Sequence, residues 1–528
     1  MDRRTLLAIS LCFGIFVAWQ KLYIEPRFAH PTAATQTVSG AAPVGTPASS
    51  AVSDPSVSGM GSKSSATASS PASMPAPQVE PVQLGSATVQ VSNGSRVFTG
   101  WDLKTYRLGL AKETEAVSMK SVTNQDSQVE IAFDDPAYSY VTTVRGKMEP
   151  VPNGWVWTYE DEKIKIVRET VGGDQQAYVA LKYDVQFKAP NPPKFAFIAL
   201  ASQAHEKEPE LVDRQLVYYT GSDIHREKLK DTMELVDAPA PVKWIGTTSR
   251  YFLMSLVNEG ALAPKGLVQP VAPFSGRVSL VYPISGNTIS IPLKAYFGPK
   301  ELDTLRSVDP SLDHVVDFGW FTVFAYPLLR VMKWIHDLIP NWGVSIILLT
   351  LFVKLLTFPL TWKSMKSMKQ MAKLQPQLQK LRERHKDDKE ALNREMLTMM
   401  RSHGYNPVAG CLPILIQMPV FFALYRVLYS SIELYHAPFM LWIQDLSAHD
   451  PFYVTPVLLT VTMFLQQKLT PNTATDPAQQ KMMQFMPVIF GVFMISLPSG
   501  LTLYMLVNAL SSILQQLFLN KKLAPAQT

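Results

Sequence analysis

Apolar residues are concentrated in two parts of this chain, at the extreme N-terminus and after about residue 343, and a long polar region separates them. Long apolar runs are typical of helices that cross a bilayer, whereas water-exposed domains mix apolar and polar positions. The pattern therefore predicts a membrane protein with a large water-exposed insert. The length of 528 residues exceeds one ordinary domain, so several units are expected.

The first apolar run extends from Leu6 to Trp19 and follows two arginines. A cleavable signal peptide has a similar layout, but the residues after this run, VAWQKLY, are bulky and lack a small-x-small cleavage pattern. We therefore predict an uncleaved signal-anchor helix within residues 1–28. Residues 29–90 are rich in Ala, Ser, Pro and Thr, and such a segment buries too little apolar area to offset its ordering entropy. This composition predicts a disordered tether.

Residues 91–310 alternate apolar and polar side chains with a period of two, most clearly in YVALKYDVQFK. The runs WVWTYE, KIKIVRETV, RVSLVYPIS and TISIPLKAYF repeat the pattern, with Gly, Pro and Asn between them. Many short strands of this kind are typical of an antiparallel β-sandwich. No GxSxG, HExxH, CxxC or P-loop motif occurs here. The sequence does not decide between a ligand-binding module and a spacer or docking module.

The C-terminal part of the chain is predicted to be a five-span helical core. Residues 311–342 are aromatic and basic, which is typical of an amphipathic helix at the membrane interface. The core itself occupies residues 343–522, and 523–528 form a short tail. The five core spans and the N-terminal helix together predict an α-helical polytopic membrane protein with six transmembrane helices. The water-exposed insert adds an all-β sandwich domain. We place the five core spans at about 343–361, 408–432, 452–468, 483–497 and 500–519.

Charge in the connections predicts the orientation. The loop at 362–406 is rich in Lys and Arg, whereas the loop at 433–450 carries acidic residues and neither Lys nor Arg. Positively charged loops stay in the cytoplasm. The basic loop and both termini are therefore predicted to be cytoplasmic, and the sandwich lies on the opposite side.

The basic loop is predicted to fold as a helical hairpin, broken at HKDD, where Asp387 or Asp388 could cap the second helix. Its methionines offer an adaptable apolar surface for capturing a client, although they could equally pack the two helices together. The lysines could also be a solvated face beside anionic lipid. The methionines concerned are Met365, Met368, Met371, Met396, Met399 and Met400.

Lys354 lies near the middle of the first core span, in SIILLTLFVKLLTFPL. A lysine at that depth costs on the order of 2.5–3.5 kcal/mol, so it should face protein or water. Three threonines recur with it on one helical face, and Gln417 and a polar stripe in the last span could complete a hydrated groove. The predicted groove residues besides Lys354 are Thr350, Thr357, Thr361, Gln417, Tyr504, Asn508, Ser511 and Gln515.

A groove with one fixed cation and many neutral polar groups favours the passage of an acidic or polar chain. No carboxylate lies within a span core, so proton-coupled transport is poorly supported. Other interpretations stay open: the threonines could bond only to their own helix, and Lys354 could be structural. A Ser–Lys protease pair is disfavoured because no exposed serine is suitably placed. Arg426, toward the outer end of its span, could snorkel or pair with Glu433.

Composition excludes several classes of protein. The formal charge of +6 is too modest and too scattered for a nucleic-acid binder. Cys12 and Cys411 both lie in apolar runs, which is typical of small buried hydrophobes rather than of a disulfide or metal pair. The sequence shows no metal, nucleotide or other cofactor site and no hydrolytic or redox motif, so we do not expect an enzyme.

Five segments of the chain resemble the YidC family of membrane protein insertases. The order of parts is also similar to that of the Gram-negative form of the family, with a first span, a periplasmic sandwich and a five-span core. The resemblance is strong over 316–520, weaker over the sandwich and absent in the tether. Its segments are NWGVSIILLTLFVKLLTFPLT, NPVAGCLPILIQMPVFFALY, APFMLWIQDLSAHDPFYVTPVLL, TDPAQQKMMQFMPVIF and LPSGLTLYMLVNALSSILQQ.

The resemblance implies a bacterial inner-membrane protein that inserts and chaperones nascent membrane proteins, alone or beside the Sec translocon. It also implies a groove open to the cytoplasm and to lipid, and a hairpin that first meets the client. The family carries an arginine at the position of Lys354, so the charge is kept here but the planar fork is lost. Because the tail after Lys522 is short, we expect ribosome contact to be weak or transient.

Two rival functions are less well supported by the sequence than the insertase. A small-molecule transporter or channel would predict internal repeats or broken spans in matching positions, and no convincing pair is visible. A sensor with an external ligand would predict a cytoplasmic output domain, and only the short hairpin is present on that side.

Overall fold

The structure, a computed structural model, describes the chain from residue 78 to residue 522 with internal gaps. The predicted signal anchor at 1–28, most of the tether and the tail at 523–528 lie outside these residues. Strands already begin at Val79, where VEPVQ pairs with ATVQVS, so the predicted boundary at residue 91 is too late. The described ranges are 78–107, 109–110, 114–119, 129–173, 175–203, 214–230, 233–272, 275–385, 388–402, 408–470 and 477–522.

The first half of the described chain is built from β-strands. In chain order they are β1 Val79–Gln83, β2 Ala87–Ser92, β3 Phe98–Arg107, β4 Ala116–Ser118, β5 Val129–Phe133, β6 Lys147–Val151, β7 Gly154–Glu160, β8 Ile164–Val171, β9 Val179–Phe187, β10 Phe195–Gln203, β11 Gln215–Tyr219, β12 Ile224–Lys228, β13 Val236–Ala238, β14 Trp244–Thr248, β15 Phe252–Asn258, β16 Lys265–Ala272, β17 Ser275–Pro283 and β18 Thr288–Pro299.

These strands form three antiparallel sheets. Their orders are β1-β2-β3-β4, then β13-β16-β17-β10-β5, and finally the nine-stranded β12-β11-β14-β15-β18-β9-β8-β7-β6. In β9 the residues Val179, Leu181 and Tyr183 point into the core while Lys182 points to solvent, as the period of two predicts. The predicted β-rich domain is therefore confirmed.

Eight α-helices follow in the described part of the chain. They are α1 Leu302–Val308, α2 Thr322–Leu338, α3 Trp342–Arg384, α4 Lys389–Ser402, α5 Val408–Ser430, α6 Val454–Leu469, α7 Pro477–Met494 and α8 Ser499–Lys522. The predicted interface helix at 311–342 is shorter than expected. Short 3-10 turns at 310–315 and 319–321 precede α2, and Gly319 adopts a φ of 61° that interrupts a regular helix.

The first core span and the first arm of the predicted hairpin form one continuous helix, α3, of 43 residues. The predicted border at residue 362 is therefore not a structural break. The second arm is α4, and Asp388 Oδ1 accepts hydrogen bonds from the backbone N–H groups of Glu390 and Ala391 at 3.1 and 3.0 Å. Asp388 thus fulfils the predicted capping role, while Asp387 lies outside the described residues.

The hairpin methionines are only partly described. Met365 is buried, as the packing interpretation expects, and Met399 is half-buried. The side chains of Met368, Met371, Met396 and Met400 lie outside the described residues. Client capture by this surface stays a prediction.

Two helical segments of the described chain are long and apolar enough to cross a membrane, Trp342–Lys366 and Ser499–Lys521. A shorter apolar stretch covers Gln484–Met494, and α5 and α6 have 23 and 16 residues. Leu355 and Leu356 on α3 are about 70% exposed, which suits a lipid-facing surface. The count of six spans stays a prediction.

The sandwich is docked on the helices through the segment that follows α5. Ile432 and Tyr435 are buried in the same apolar cluster as the sandwich core. Tyr435 Oη donates to the carbonyl oxygen of Arg107 at 3.0 Å. Arg250 Nε donates to the carbonyl oxygen of Tyr429 at 2.8 Å. These contacts hold the end of α5 and the residues after it against strand β3 and the turn between β14 and β15.

A partly buried ion pair fixes α2 to the same segment. Lys333 Nζ on α2 lies 3.1 Å from Glu433 Oε1 and 3.0 Å from Asp303 Oδ2 on α1. Burial raises the pKa of Glu433, and the positive charge of Lys333 opposes that shift. The sequence left Arg426 open as a partner of Glu433, but the carboxylate of Glu433 pairs with Lys333.

We expect Lys333→Met to destabilise the protein, because it leaves the Glu433 carboxylate buried without its cation. Breaking a buried pair from one side costs about 3–5 kcal/mol. Thermal unfolding of the purified chain in detergent micelles would show a lower midpoint for Lys333→Met. The double variant Lys333→Met/Glu433→Gln should recover most of the loss.

The matched control for this prediction is Arg330→Met, which removes an exposed cation from the same helix and should leave the midpoint nearly unchanged. A double variant no more stable than Lys333→Met would contradict the ion-pair explanation.

Candidate functional site

The candidate site centres on Lys354, which α3 carries into the apolar part of the helical core. Lys354 Nζ donates to Ser512 Oγ of α8 at 2.7 Å, and Ser512 Oγ donates to the carbonyl oxygen of Asn508 at 2.8 Å. Within the described ranges no carboxylate forms an ion pair with Lys354. The ammonium is therefore held by neutral groups, and its charge is not cancelled by a fixed anion.

A second polar contact joins α3 and α8 beside Lys354. Gln515 Nε2 donates to the carbonyl oxygen of Lys354 at 3.3 Å. Gln515 Oε1 is buried and has no hydrogen-bond partner among the described residues. A buried acceptor of this kind is costly unless it is paired, so the site holds an acceptor that an incoming donor can satisfy.

Gln417 brings α5 into the same polar region. Its Nε2 atom donates to Tyr504 Oη at 3.1 Å and lies 3.4 Å from Asn508 Oδ1, both on α8. Because α8 also carries Ser512, the polar groups of α3 and α5 meet along one face of α8. We call the set Lys354, Gln417, Asn508, Ser512 and Gln515 the polar groove.

The three predicted threonines bond to their own helix. Thr350 Oγ1 donates to the carbonyl oxygen of Ile346, Thr357 Oγ1 to that of Val353, and Thr361 Oγ1 to that of Thr357, at 2.6, 2.9 and 3.1 Å. The alternative interpretation of helix back-bonding describes all three. Thr350 is also only 2% exposed, so its hydroxyl offers little to a passing chain.

The last span differs from the prediction at one position. Ser511, a predicted groove residue, is 7% exposed, and Ser512 is the serine that contacts Lys354. Ser511 and Ser512 lie three and four residues after Asn508, and both spacings fit one helical face. The signal in the sequence that favours Ser512 over Ser511 is that Tyr504, Asn508 and Ser512 recur at intervals of four residues.

The contact between Lys354 and Ser512 does not make a protease pair. In such a pair the lysine accepts the proton of the serine. Here the ammonium donates to the serine, whose own hydroxyl donates to the carbonyl oxygen of Asn508. Ser512 is half-buried rather than exposed, and its hydrogen bonds give it a supporting role.

The sandwich-side end of this region is closed by the segment 431–453. Backbone N–H groups of Ser499 and Gly500, at the start of α8, donate to the carbonyl oxygens of Ala448 and Leu446 at 2.6 and 2.9 Å. These bonds satisfy helix N–H groups that would otherwise lack partners. The start of α8 is thereby fixed to the segment 431–453.

Two family profiles match the chain. One is described as the 60Kd inner membrane protein and covers residues 334–526, and the other is described as the YidC periplasmic domain and covers residues 157–331.

Curated relatives and a solved structure are similar to the chain. A membrane protein insertase YidC of Geobacter metallireducens is 34% identical over 567 residues and the match covers 100% of both chains. The insertase of Geobacter sulfurreducens is 43% identical over 58% of this chain and 58% of that protein. The insertase of Geotalea uraniireducens is 50% identical over 45% of this chain and 45% of that protein. A solved structure described as an active YidC insertase with its first transmembrane domain resolved is 17% identical, has a TM-score of 0.35, and is matched over 84% of this chain and 92% of that one.

The match over the full length of the Geobacter metallireducens protein, with both family profiles, shows that this chain belongs to the YidC family of membrane protein insertases, inner-membrane proteins with a periplasmic domain.

Proposed function

We propose that this insertase moves the polar flank of a nascent membrane protein through the polar groove while the apolar segment of the client enters lipid. The observation that carries the proposal is the position of Lys354, held by Ser512 with no carboxylate paired to it in the described chain. An uncompensated cation attracts an acidic or polar segment. The amide of Gln417 and the free acceptor of Gln515 offer that segment hydrogen bonds.

The groove lowers the cost of moving polar groups into the bilayer. A backbone or side-chain polar group without a partner in hydrocarbon costs several kcal/mol. Side chains of α3, α5 and α8 replace part of the water that the client loses. The apolar segment of the client then gains roughly 25 cal/mol for each Å² that it removes from water. Insertion by this route needs no nucleotide.

The proposed topology places the basic loop at 362–406 in the cytoplasm and the sandwich in the periplasm, with six spans and cytoplasmic termini. The excess of Lys and Arg in that loop supports this orientation. Because α3 continues from Lys354 to Arg384 without a break, a client bound on the hairpin is already next to the helix that lines the groove. The Sec translocon and, weakly, the ribosome are the proposed partners beside nascent membrane proteins and lipid.

The proposal predicts that clients crosslink from inside the groove. A photoreactive amino acid at Gln417 should crosslink to the polar flank of a ribosome-bound client, because this side chain is half-buried and faces α8. The same amino acid at Leu356, which is 71% exposed toward lipid, should favour the apolar segment. Crosslinks at Gln417 should fade in Lys354→Met and persist in Lys354→Arg.

Two results would count against this path. Equal crosslinking at Gln417 in the Met and Arg variants would show that the charge does not attract the flank. A crosslink pattern at Gln417 identical to that at Leu356 would show that the client does not distinguish the groove from the lipid face.

The proposal also predicts a role for Ser512 that the neighbouring serine does not share. Ser512→Ala removes the hydrogen-bond acceptor of Lys354, and losing a bond to a charged group should lower the initial insertion rate by about 2- to 10-fold. Ser512→Thr keeps the hydroxyl and should restore the rate. The measurement is protease protection of a client inserted into proteoliposomes.

Ser511→Ala is the matched control, since Ser511 is a buried neighbour that does not contact Lys354. We expect it to insert at the wild-type rate. If both alanine variants were slowed equally, with equal unfolding midpoints, the contact between Ser512 and Lys354 would have no specific role.

A further inference from the structure

Three residues in the segment 431–453 adopt a left-handed backbone, the half-buried His436 and the exposed Leu441 and Tyr453. Leu441 has a φ of 54° and Tyr453 a φ of 57°. Such residues rarely adopt this conformation, which Gly and Asn tolerate far better. Leu441 and Tyr453 each belong to a pair of exposed apolar neighbours. Leu441, which is 74% exposed, follows Met440, and Tyr453 follows Phe452, which is 69% exposed. Strained backbone that displays large apolar side chains requires a surface to receive them.

Hydrogen bonds close two turns in this segment. We call residues 439–443 the first tip and residues 450–453 the second tip. In the first, Phe439 N–H donates to the carbonyl oxygen of Ile443 at 3.0 Å, and Ile443 N–H donates to that of Met440 at 3.1 Å. In the second, Phe452 N–H donates to Asp450 Oδ1 at 3.0 Å. The exposed side chains of Met440, Leu441 and Phe452 are thus projected by closed turns.

The first tip lies beside the start of α3. Asn341 Nδ2 donates to the carbonyl oxygen of Phe439 at 2.9 Å. The ring of Phe439 packs so closely on Gly343 that a Cβ atom at this position would overlap the ring. Gly343 belongs to Trp342–Lys366, a segment able to cross a membrane. The tip therefore lies at the N-terminal end of this segment.

The second tip lies at the start of another helix. Phe452 and Tyr453 directly precede α6, which begins at Val454. Residues 437–444 contain no ionisable side chain. The neutral, apolar first tip suits the boundary between headgroups and acyl chains rather than an anionic partner, and the carboxylate of Asp450 in the second tip is buried.

We propose that Met440, Leu441 and Phe452 form a lipid anchor that inserts into the periplasmic leaflet of the bilayer. The anchor rests on α3 crossing the membrane as proposed above. It fixes the height of the segment 431–453, and with it the sandwich-side ends of α3, α6 and α8. The strain at Leu441 is retained because an apolar side chain, rather than Gly or Asn, is needed at the tip.

The test measures the depth of each tip. In a chain carrying Cys12→Ser and Cys411→Ala, single cysteines are introduced by Met440→Cys or Phe452→Cys, labelled with an environment-sensitive fluorophore and reconstituted into vesicles of phosphatidylcholine and phosphatidylglycerol. Lipids brominated near the headgroup should quench both labels more than lipids brominated near the chain end. We expect depths of about 5–10 Å below the headgroup boundary.

Two control positions make the outcomes distinguishable. A label at Ser222→Cys, in an exposed turn of the sandwich, should not be quenched, and a label at Leu355→Cys, on the exposed face of α3, should be quenched most by the deep bromines. Labels at Met440 and Phe452 that behave like Ser222 while Leu355 is quenched would overturn the anchor and leave the insertase intact. No quenching at Leu355 would overturn the proposed span as well.

A second variant tests Leu441 itself. Leu441→Asn keeps a residue that accepts the left-handed backbone and removes the apolar side chain. We expect the label at Met440 to become shallower in this background, while the unfolding midpoint in micelles stays the same or rises. An unchanged depth would overturn the role of Leu441. Quenching that changes with the protein-to-lipid ratio would instead assign the tip to contacts between copies of the chain.

Discussion

The structure depends on keeping one ammonium group charged inside an apolar helical core. Burying a charge is expensive, and the usual solution is a fixed counter-charge. This chain instead gives Lys354 a serine hydroxyl from α8 and arranges amides from α5 and α8 around it. Among the described residues the positive charge is left without a carboxylate partner, which the proposed passage of polar segments requires and a purely structural ion pair would remove.

The segment that follows α5 is tied to α2, to the sandwich and to the start of α8. The pair formed by Lys333 and Glu433 ties α2 to the segment after α5, and Tyr435 ties that segment to the sandwich. The backbone bonds from Ser499 and Gly500 tie the start of α8 to the same segment. The sandwich-side end is thus fixed by many contacts, whereas α3 extends beyond the groove to Arg384 at the other end.

Much of this organisation follows from sequence periodicity. Alternation in β9 predicted a β-rich domain, and the quoted segments predicted the insertase family, which the full-length relative confirms. Boundaries were less predictable, because Val79–Gln83 is too short and too polar to stand out from the tether before its partner strand is known. The border at residue 362 follows a change of charge, and the helix continues through it, so the end of the span stays a prediction.

The details of the site depend on contacts between residues that are distant in the chain, which the sequence alone does not show. Periodicity placed polar groups on one face of the last span but could not choose between Ser511 and Ser512, since both fit the helical repeat. The pairing of Lys333 with Glu433 joins residues one hundred positions apart in the chain, and no local pattern reports it. Left-handed backbone at Leu441 is equally invisible, because an apolar residue gives no turn signal.

The most direct test of the uncompensated charge is to move it across the groove. Lys354→Ser should abolish most insertion of a small client with an acidic flank into proteoliposomes, measured by protease protection. Lys354 Nζ lies 2.7 Å from Ser512 Oγ. The double variant Lys354→Ser/Ser512→Lys therefore returns an ammonium group to this contact, now carried by α8. We predict that this exchange restores most of the insertion. A folded double variant as inactive as Lys354→Ser would contradict the role of the charge.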